Sequence, residues 1–463
     1  MKRTRTRSIM VLIMTLAFFA GLAYFTVNLA VHSAEWSSKP QNSHLSDSNG
    51  LENAGKIYDT NGVILAQSVD GKRVYNDDEE IRKACLHVVG DDTINISTAI
   101  QTAYRSELSG YNFIFGLGLP SSVSSGRDIT LTIDSSIQKA AYEALGSNKG
   151  AVVVYNYKTG EIVCMVSTPT YDPQNKPSDI DTNDEYEGAY INRAISASYT
   201  PGSTFKLVTA AAALENMDNI EDRTYYCSGS DNIGGKEVTC YEASGEVDFK
   251  NALAQSCNCY FAQLALDLGK DKMTEQAEKM GFNSSIKFDN IETINSTYNV
   301  SEANENNLAW SGVGQYTVLE TPLNMAVISA AIANGGTPVM PYIIKNISLP
   351  FGMQSADKSS STGSQMMSSS IAKKLYDIMD YTVETNYGKS YFSDKLDICA
   401  KTGTAEVGND KGAHAWVTGF AKDEDCPLAF SVIVENGDSG YSVAIPTATA
   451  VLNAAADSLR NNG

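Results

Sequence analysis

Three short groups of polar side chains have types and spacings that could do chemistry. The first is Ser203-Thr204-Phe205-Lys206, preceded by Tyr199-Thr200-Pro201-Gly202 and followed by an alanine-rich run, 207–215. A serine hydroxyl becomes a nucleophile when a base lies within reach and donors await the oxyanion that follows. Lys206, three residues on and on the same helical face, can be that base if burial beside Phe205 lowers its pKa. The helix N-terminus would favour negative charge nearby. The same residues also describe an ordinary helix-start serine with a solvated lysine. The S-x-x-K spacing recurs at Ser136/Lys139, Ser284/Lys287 and Ser370/Lys373, so spacing alone decides nothing. The second group is Ser256-Cys257-Asn258, whose serine can relay a proton and whose asparagine can bond a substrate amide. The third is Lys401-Thr402-Gly403-Thr404 in a late strand pattern. A strand glycine lets another backbone come close, and the flanking threonine hydroxyls and lysine suit a carboxylate-bearing peptide laid against a sheet edge.

The elements that must position these groups follow from periodicity and punctuation. Asn61-Gly62 sits between two short apolar runs in 54–66, a hairpin signal. A strand at 128–134 leads into a capped amphipathic helix at 135–145, which makes Ser136 a helix-start residue. Residues 150–156 and 161–167 form a hairpin around Tyr157-Lys158-Thr159-Gly160. After the Ser203 helix come a Gly/Cys/Asp-rich loop at 227–240, a helix at 249–268 and a small-residue helix at 324–334. A serine-rich loop spans 353–370, a helix 371–383, three strands lie near 398–404, 414–420 and 429–435, and a last helix covers 447–459. Helices mixed with a largely antiparallel late sheet indicate an α+β fold.

Composition narrows the function classes. The 463 residues carry a net charge of −19, and Lys2, Arg3, Arg5 and Arg7 all precede the first apolar run. Without those four, 31 basic residues face 54 acidic ones, which argues against nucleic-acid binding and for a soluble anionic outer portion. Residues 9–31 are nearly uncharged and would reach about 35 Å as a helix, enough to span a bilayer. The basic residues before the span place the N-terminus in the cytoplasm. No small-x-small cleavage site follows convincingly, so an uncleaved anchor is expected over a cleaved signal. Residues 32–54 read as a flexible linker. Eight cysteines fall at 85, 164, 227, 240, 257, 259, 399 and 426. Cys227 and Cys240 close a short Gly-rich loop that suits a disulfide outside the cytoplasm. Cys257 and Cys259 lack a third and fourth ligand at sensible spacing and read as small buried helix residues, so no metal is expected.

Taken in order, Ser203-x-x-Lys206, Ser256-x-Asn258 and Lys401-Thr402-Gly403 resemble the S-x-x-K, S-x-N and K-T-G motifs of the penicillin-binding proteins. The surroundings are similar too: Pro201-Gly202 before the serine, Gly314-Gln315 with Thr321-Pro322-Leu323, and His414-Ala415-Trp416 with Gly419-Phe420-Ala421. Ser230-Asp231-Asn232 and Lys158-Thr159-Gly160 spell two of the motifs again. The latter precedes the nucleophile as a hairpin turn, and Ser256 is preferred to Ser230 because it opens a helix in family-like surroundings. Gly314-Gln315-Tyr316 departs from the usual Gly-Gln-Gly, and Cys259 stands where Thr or an aliphatic residue is commoner. The anchor, the 55–66 hairpin and the lack of a glycosyltransferase region resemble class B, the monofunctional branch, in one of its smaller members.

The resemblance implies a serine β-lactamase-like transpeptidase domain at 128–463, an accessory module at 55–127, the linker at 32–54, an anchor at 9–31 and a cytoplasmic tail at 1–8. It implies a D,D-transpeptidase of the cell wall, without a cofactor, acting on the D-Ala-D-Ala end of peptidoglycan stem peptides and acylated by β-lactams. Lys206 would take the proton of Ser203, and Ser256, aided by Lys401, would protonate the leaving amine. Thr402 and Thr404 would hold the carboxylate beside Gly403, Asn258 the peptide amide, and the N–H groups of Ser203 and Thr404 the oxyanion. A polytopic lipid-II polymerase of the FtsW/RodA type is the implied partner. Alternatives are a carboxypeptidase or β-lactamase using water as acceptor, a β-lactam sensor, and a weakly catalytic scaffold; a purely adhesive surface protein would leave the three motifs a coincidence.

Overall fold

In the computed structural model, residues 2–37, 51, 53–109, 126–348, 357, 358, 360–408 and 412–462 are described. Much of the expected linker (38–50 and 52) and part of the serine-rich loop (353–356 and 359) lie outside them, as do 110–125 of the accessory region. Ten strands build two five-stranded sheets: β1 Ile57–Tyr58, β2 Ile64–Val69, β3 Lys72–Tyr75, β4 Ile129–Leu131, β5 Gly150–Asn156, β6 Ile162–Thr168, β7 Ile344–Ile347, β8 Ile398–Ala405, β9 His414–Ala421 and β10 Leu428–Val434. The principal helices are α1 Lys2–Ser37, α2 Glu79–Val89, α3 Ser135–Leu145, α4 Lys206–Asn216, α5 Phe249–Ala254, α6 Asn258–Lys279, α7 Pro322–Ala333, α8 Ser369–Thr382 and α9 Ile445–Asn462. Within α1, the 26 residues Thr4–Leu29 are long and apolar enough to cross a membrane.

The smaller sheet runs β7-β4-β1-β2-β3, with β1 and β4 parallel and its other pairs antiparallel. The Asn61-Gly62 hairpin forms as expected, with Ile57 opposite Ala66. Asp59 holds the turn by accepting the N–H groups of Asn61 and Val63 at 2.9 and 2.8 Å. It also accepts Ser135 Oγ at 2.6 Å, tying the hairpin to the start of α3.

The larger sheet, β8-β9-β10-β5-β6, is antiparallel throughout. Both its faces are covered, so strands such as Gly150–Asn156 are buried at nearly every position rather than alternately. One face, carrying Val153, Tyr155, Trp416 and Phe420, packs under the α4, α6 and α7 core; the other, carrying Val152, Val154, Val432 and Val434, packs under α3 and α9. Each fully buried Val or Ile contributes roughly 1.5–3 kcal/mol. β8 is the outer strand, so its far edge is left for something other than a sheet neighbour.

Two expectations change. The helix expected over 249–268 is two helices, α5 and α6, separated at Gln255–Cys257, where Ser256 adopts φ 60°. Ser256 therefore sits in a break and does not open the helix; Cys257 is the N-cap. The loop at 227–240 contains a hairpin, Ser230–Ile233 against Lys236–Thr239, stabilised by burial of Ile233 and Val238. Its cysteines are unbridged, as are all eight.

Asp134 caps α3 through Ser136 N at 2.8 Å, and also accepts Asn61 Nδ2 at 2.9 Å and the hydroxyl of Ser458 from α9. Asp134→Ala removes a cap and takes one acceptor away from each of Asn61 and Ser458, and should cost about 1–3 kcal/mol. Thermal melting checks this: an unchanged Tm would show that the three ties contribute nothing.

Candidate active site

Ser203 lies in a 3-10 turn, Gly202–Phe205, that runs into α4. The turn is pressed between two backbones that only glycines admit. Gly202 N donates to Gly314 O at 3.0 Å, and a Cβ on Gly314 would stand 2.1 Å from the Gly202 carbonyl oxygen. On the other side, a Cβ on Gly202 would meet Thr404 O at 2.4 Å and one on Gly403 would meet Pro201 O at 2.6 Å. The approach to the turn is fixed as well: Trp416 Nε1 donates to Thr200 O at 3.0 Å, and Tyr199 OH donates to Glu435, which is paired with Arg193 at 2.7 Å. Phe205 stacks on Tyr298 and meets Phe282 edge-on, and Ala210 to Ala213 are fully buried. The result is a serine that is partly accessible on a turn with little freedom to move.

Lys206 is completely buried, yet its amine has four oxygens around it: Ser203 Oγ at 3.1 Å, Ser256 Oγ at 3.1 Å, Ser256 O at 2.6 Å and Asn258 Oδ1 at 2.6 Å. Burial pushes its pKa down to about 8, although the thiols of Cys257, Cys240 and Cys259 act in the opposite direction. A neutral amine has two N–H donors and one lone pair. The two short bonds, to Ser256 O and Asn258 Oδ1, use both donors and leave the lone pair for a serine hydroxyl. Asn258 is held in that orientation because its Nδ2 donates to Thr239 O at 2.7 Å. The left-handed Ser256 turns its own carbonyl and hydroxyl toward the same amine.

Lys401, equally buried, donates to Ser256 Oγ at 3.0 Å and to Thr402 O at 3.0 Å. Burial, and then the charge of Lys206, push its pKa well below the ordinary lysine value. One hydroxyl thus joins two desolvated amines, an arrangement suited to moving protons over short distances. Gly403 is buried against the Ser203 turn, Thr404 is exposed, and Thr402 is half-buried on the open edge of β8. All eight residues expected from the sequence are brought to this one place, along the Ser203 turn, the α5–α6 break and β8.

The look-alike motifs are elsewhere and otherwise engaged. Ser136 bonds Asp134, Lys139 pairs with Asp78 and Glu80, and Lys373 pairs with Asp377. Lys158 reaches Asn334 from an exposed turn, and Ser230 to Asn232 form a hairpin strand. Tyr387 was not legible as a site residue. It is in a π-helical turn after α8, and its buried hydroxyl lies 2.8 Å from Thr402 Oγ1 while accepting Thr402 N at 3.1 Å. Nothing in the local sequence marks it, because its partner is 15 residues away in β8.

Comparison with known proteins agrees with this geometry. The penicillin binding protein transpeptidase domain family matches residues 150–453. The chain belongs to that family. The peptidoglycan D,D-transpeptidase PbpA of Mycolicibacterium smegmatis is 31% identical over 444 residues, covering 85% of this chain and 87% of that one. Its namesake in Mycobacterium tuberculosis is 32% identical over 441 residues with the same coverage. Among solved structures, the D,D-transpeptidase domain of a peptidoglycan glycosyltransferase from Eggerthella lenta superposes with a TM-score of 0.78 at 30% identity, over 89% of this chain and 99% of that one. The ceftriaxone acyl-enzyme of penicillin-binding protein A from M. tuberculosis gives 0.78 at 29% identity, over 88% and 99%. The transpeptidase fold accounts for the sheet, the flanking helices and the edge strand at the serine.

Two outcomes follow for this penicillin-binding protein. If the amine of Lys206 must be neutral to accept a proton, acylation by a penicillin rises about tenfold per pH unit and levels off near pH 8, where the amine titrates. Stopped-flow acylation rates across that range check it; a rate independent of pH would contradict the assignment. Tyr387→Phe removes both hydrogen bonds to Thr402, with Oγ1 and from the backbone N–H, and should slow acylation by several-fold to tenfold or more, about 1–2 kcal/mol, with the fold intact. An unchanged acylation rate would show that Thr402 needs no help.

Proposed function

We propose that this chain is a serine D,D-transpeptidase that cross-links peptidoglycan stem peptides through an acyl-enzyme on Ser203. The observation that carries the reading is the hydroxyl of Ser256 within 3.1 Å of Lys206 Nζ and 3.0 Å of Lys401 Nζ, beside a nucleophile that Lys206 also touches. A substrate strand ending in D-Ala-D-Ala would lie along the free edge of β8, with its carboxylate at Thr402 and Thr404 and its peptide amide near Asn258. Lys206 accepts the Ser203 proton as Ser203 Oγ bonds the penultimate carbonyl carbon. The N–H groups of Ser203 and Thr404 receive the oxyanion; the close packing of Gly202 against the Thr404 backbone supports that pairing. The C–N bond to the last D-Ala then breaks, and its nitrogen takes a proton relayed through Ser256 with Lys401 as its neighbour. An amine from a second stem peptide attacks the ester, and Ser203 recovers its proton as the cross-link forms.

A β-lactam presents a strained amide to the same edge and acylates the same oxygen. In support, penicillin-binding protein A of M. tuberculosis has been solved as ceftriaxone, imipenem and penicillin G acyl-enzymes. The apolar helix at Thr4–Leu29 supports a single-pass anchor, with Lys2, Arg3, Arg5 and Arg7, which precede its uncharged run from Ile9, on the cytoplasmic side. The remaining division is proposed as a cytoplasmic tail at 1–8, anchor at 9–31, linker at 32–54, accessory module at 55–127 and catalytic domain at 128–463. Helix α1 continues through 32–37, and Leu51 and Ala54 already pack in the core, so the linker's two ends are ordered rather than flexible. The anchor and accessory module are the surfaces offered to a polytopic lipid-II polymerase.

Fluorescent penicillin tests the assignment. Peptide mapping should place the adduct on Ser203, and Ser203→Ala should abolish it without lowering Tm. An adduct on Ser136, Ser230 or another serine would refute the proposed nucleophile.

A further inference from the structure

Four of the eight cysteines, scattered over 33 residues of sequence, meet beside the active site. Cys227 ends the short strand Tyr225–Cys227, Cys240 directly follows the hairpin strand Lys236–Thr239, and Cys257 and Cys259 flank Asn258 at the start of α6. The sulfurs of Cys227, Cys240 and Cys257 all lie within 4.8 Å of one another. Cys240 Sγ is 3.5 Å from Cys227 Sγ, 3.9 Å from Cys257 Sγ and 3.6 Å from Cys259 Sγ. The expectation of no metal rested on the absence of a third and fourth ligand at sensible linear spacing; the fold supplies them from separate segments.

We propose that these cysteines bind a structural zinc ion, with Cys227, Cys240 and Cys257 as its core ligands and Cys259 as the fourth. Tetrahedral zinc with thiolates at about 2.3 Å holds its sulfurs roughly 3.8 Å apart, which falls within the range of spacings around Cys240. Cys227, Cys257 and Cys259 are buried, which suits a closed site. The backbone N–H groups of Asn258 and Cys259 point at Cys240 Sγ, at 3.2 and 3.5 Å, as donors do around a metal-bound thiolate. Cys259 Sγ donates to Val238 O at 3.4 Å and joins the ion by giving up that bond.

The ion would be a positioning device rather than a reactant. Cys257 is the middle residue of Ser256-Cys257-Asn258, and Cys240 adjoins Thr239, whose carbonyl orients the Asn258 amide. Zinc therefore ties the 230–239 hairpin to the chain break that presents Ser256 and Asn258 to Lys206. Metal binding itself is independent of whether the acyl-transfer reading is right, and the test separates the two.

The full chain, purified in detergent without chelator, is analysed for zinc by elemental mass spectrometry alongside thiol counting by mass spectrometry. The expected result is about one zinc per chain, with all eight thiols reduced and visible thiolate-to-cobalt absorption after exchange with Co²⁺. Cys227→Ser and Cys240→Ser should each weaken zinc retention by at least about tenfold, whereas Cys85→Ala, far from the cluster, should retain it. Chelation of the wild-type chain should slow penicillin acylation, and zinc alone should restore it. Folded wild-type chain with no zinc and no uptake of Co²⁺ would overturn the proposal, as would disulfides among the four cysteines. Because these readings use the wild-type chain, misfolding of a variant does not shield the proposal.

Discussion

The site depends on removing two lysine amines from water and giving them one hydroxyl to share. In water an amine of ordinary pKa is protonated and has no lone pair for Ser203. At Lys206, burial favours the neutral form, while the carbonyl of Ser256 and the amide oxygen of Asn258 fix where its two protons point. Lys401 is kept close by the same Ser256 hydroxyl, and two buried ammonium groups at that separation would repel each other strongly. The surrounding fold can be read as what is required to hold this pair: a glycine-lined slot for the Ser203 turn, a break between helices for Ser256, and a doubly covered sheet whose outer strand carries Lys401.

That requirement explains why local rules are broken where they are. Ser256 adopts a left-handed backbone without being glycine, and Tyr316 does so at φ 69° in the segment beside Gly314. At Ser256 the conformation aims carbonyl and hydroxyl together at Lys206, which a continuous helix could not do.

Much of the architecture was legible because it is written locally. Alternating and continuous apolar runs marked β5, β6 and the three late strands, and the helices at 135–145 and 324–334 were marked by their own patterns, the structure adding Asp134 and Thr321 as their caps. The three motifs were legible because each is a short spacing in sequence, although two of them straddle a turn or break and the helix that follows. What escaped is non-local. The break at Ser256 has no Gly or Pro signal, and Ala254-Gln255 before it are residues that continue a helix readily. The hairpin at 230–239 hides in a polar composition and forms because Ile233 and Val238 find a core. Tyr387 meets Thr402, and Cys257 meets Cys227 and Cys240, through folding alone.

The charge on Lys206 tests the account most directly. With lysine side chains labelled with ¹⁵N, the Nζ resonance that disappears in Lys206→Met can be followed through a pH titration of the resting protein. The account predicts a titration near pH 8, well below the ordinary lysine value of about 10.4. An amine that remains charged up to that ordinary value would contradict it, since Ser203 would then have no base.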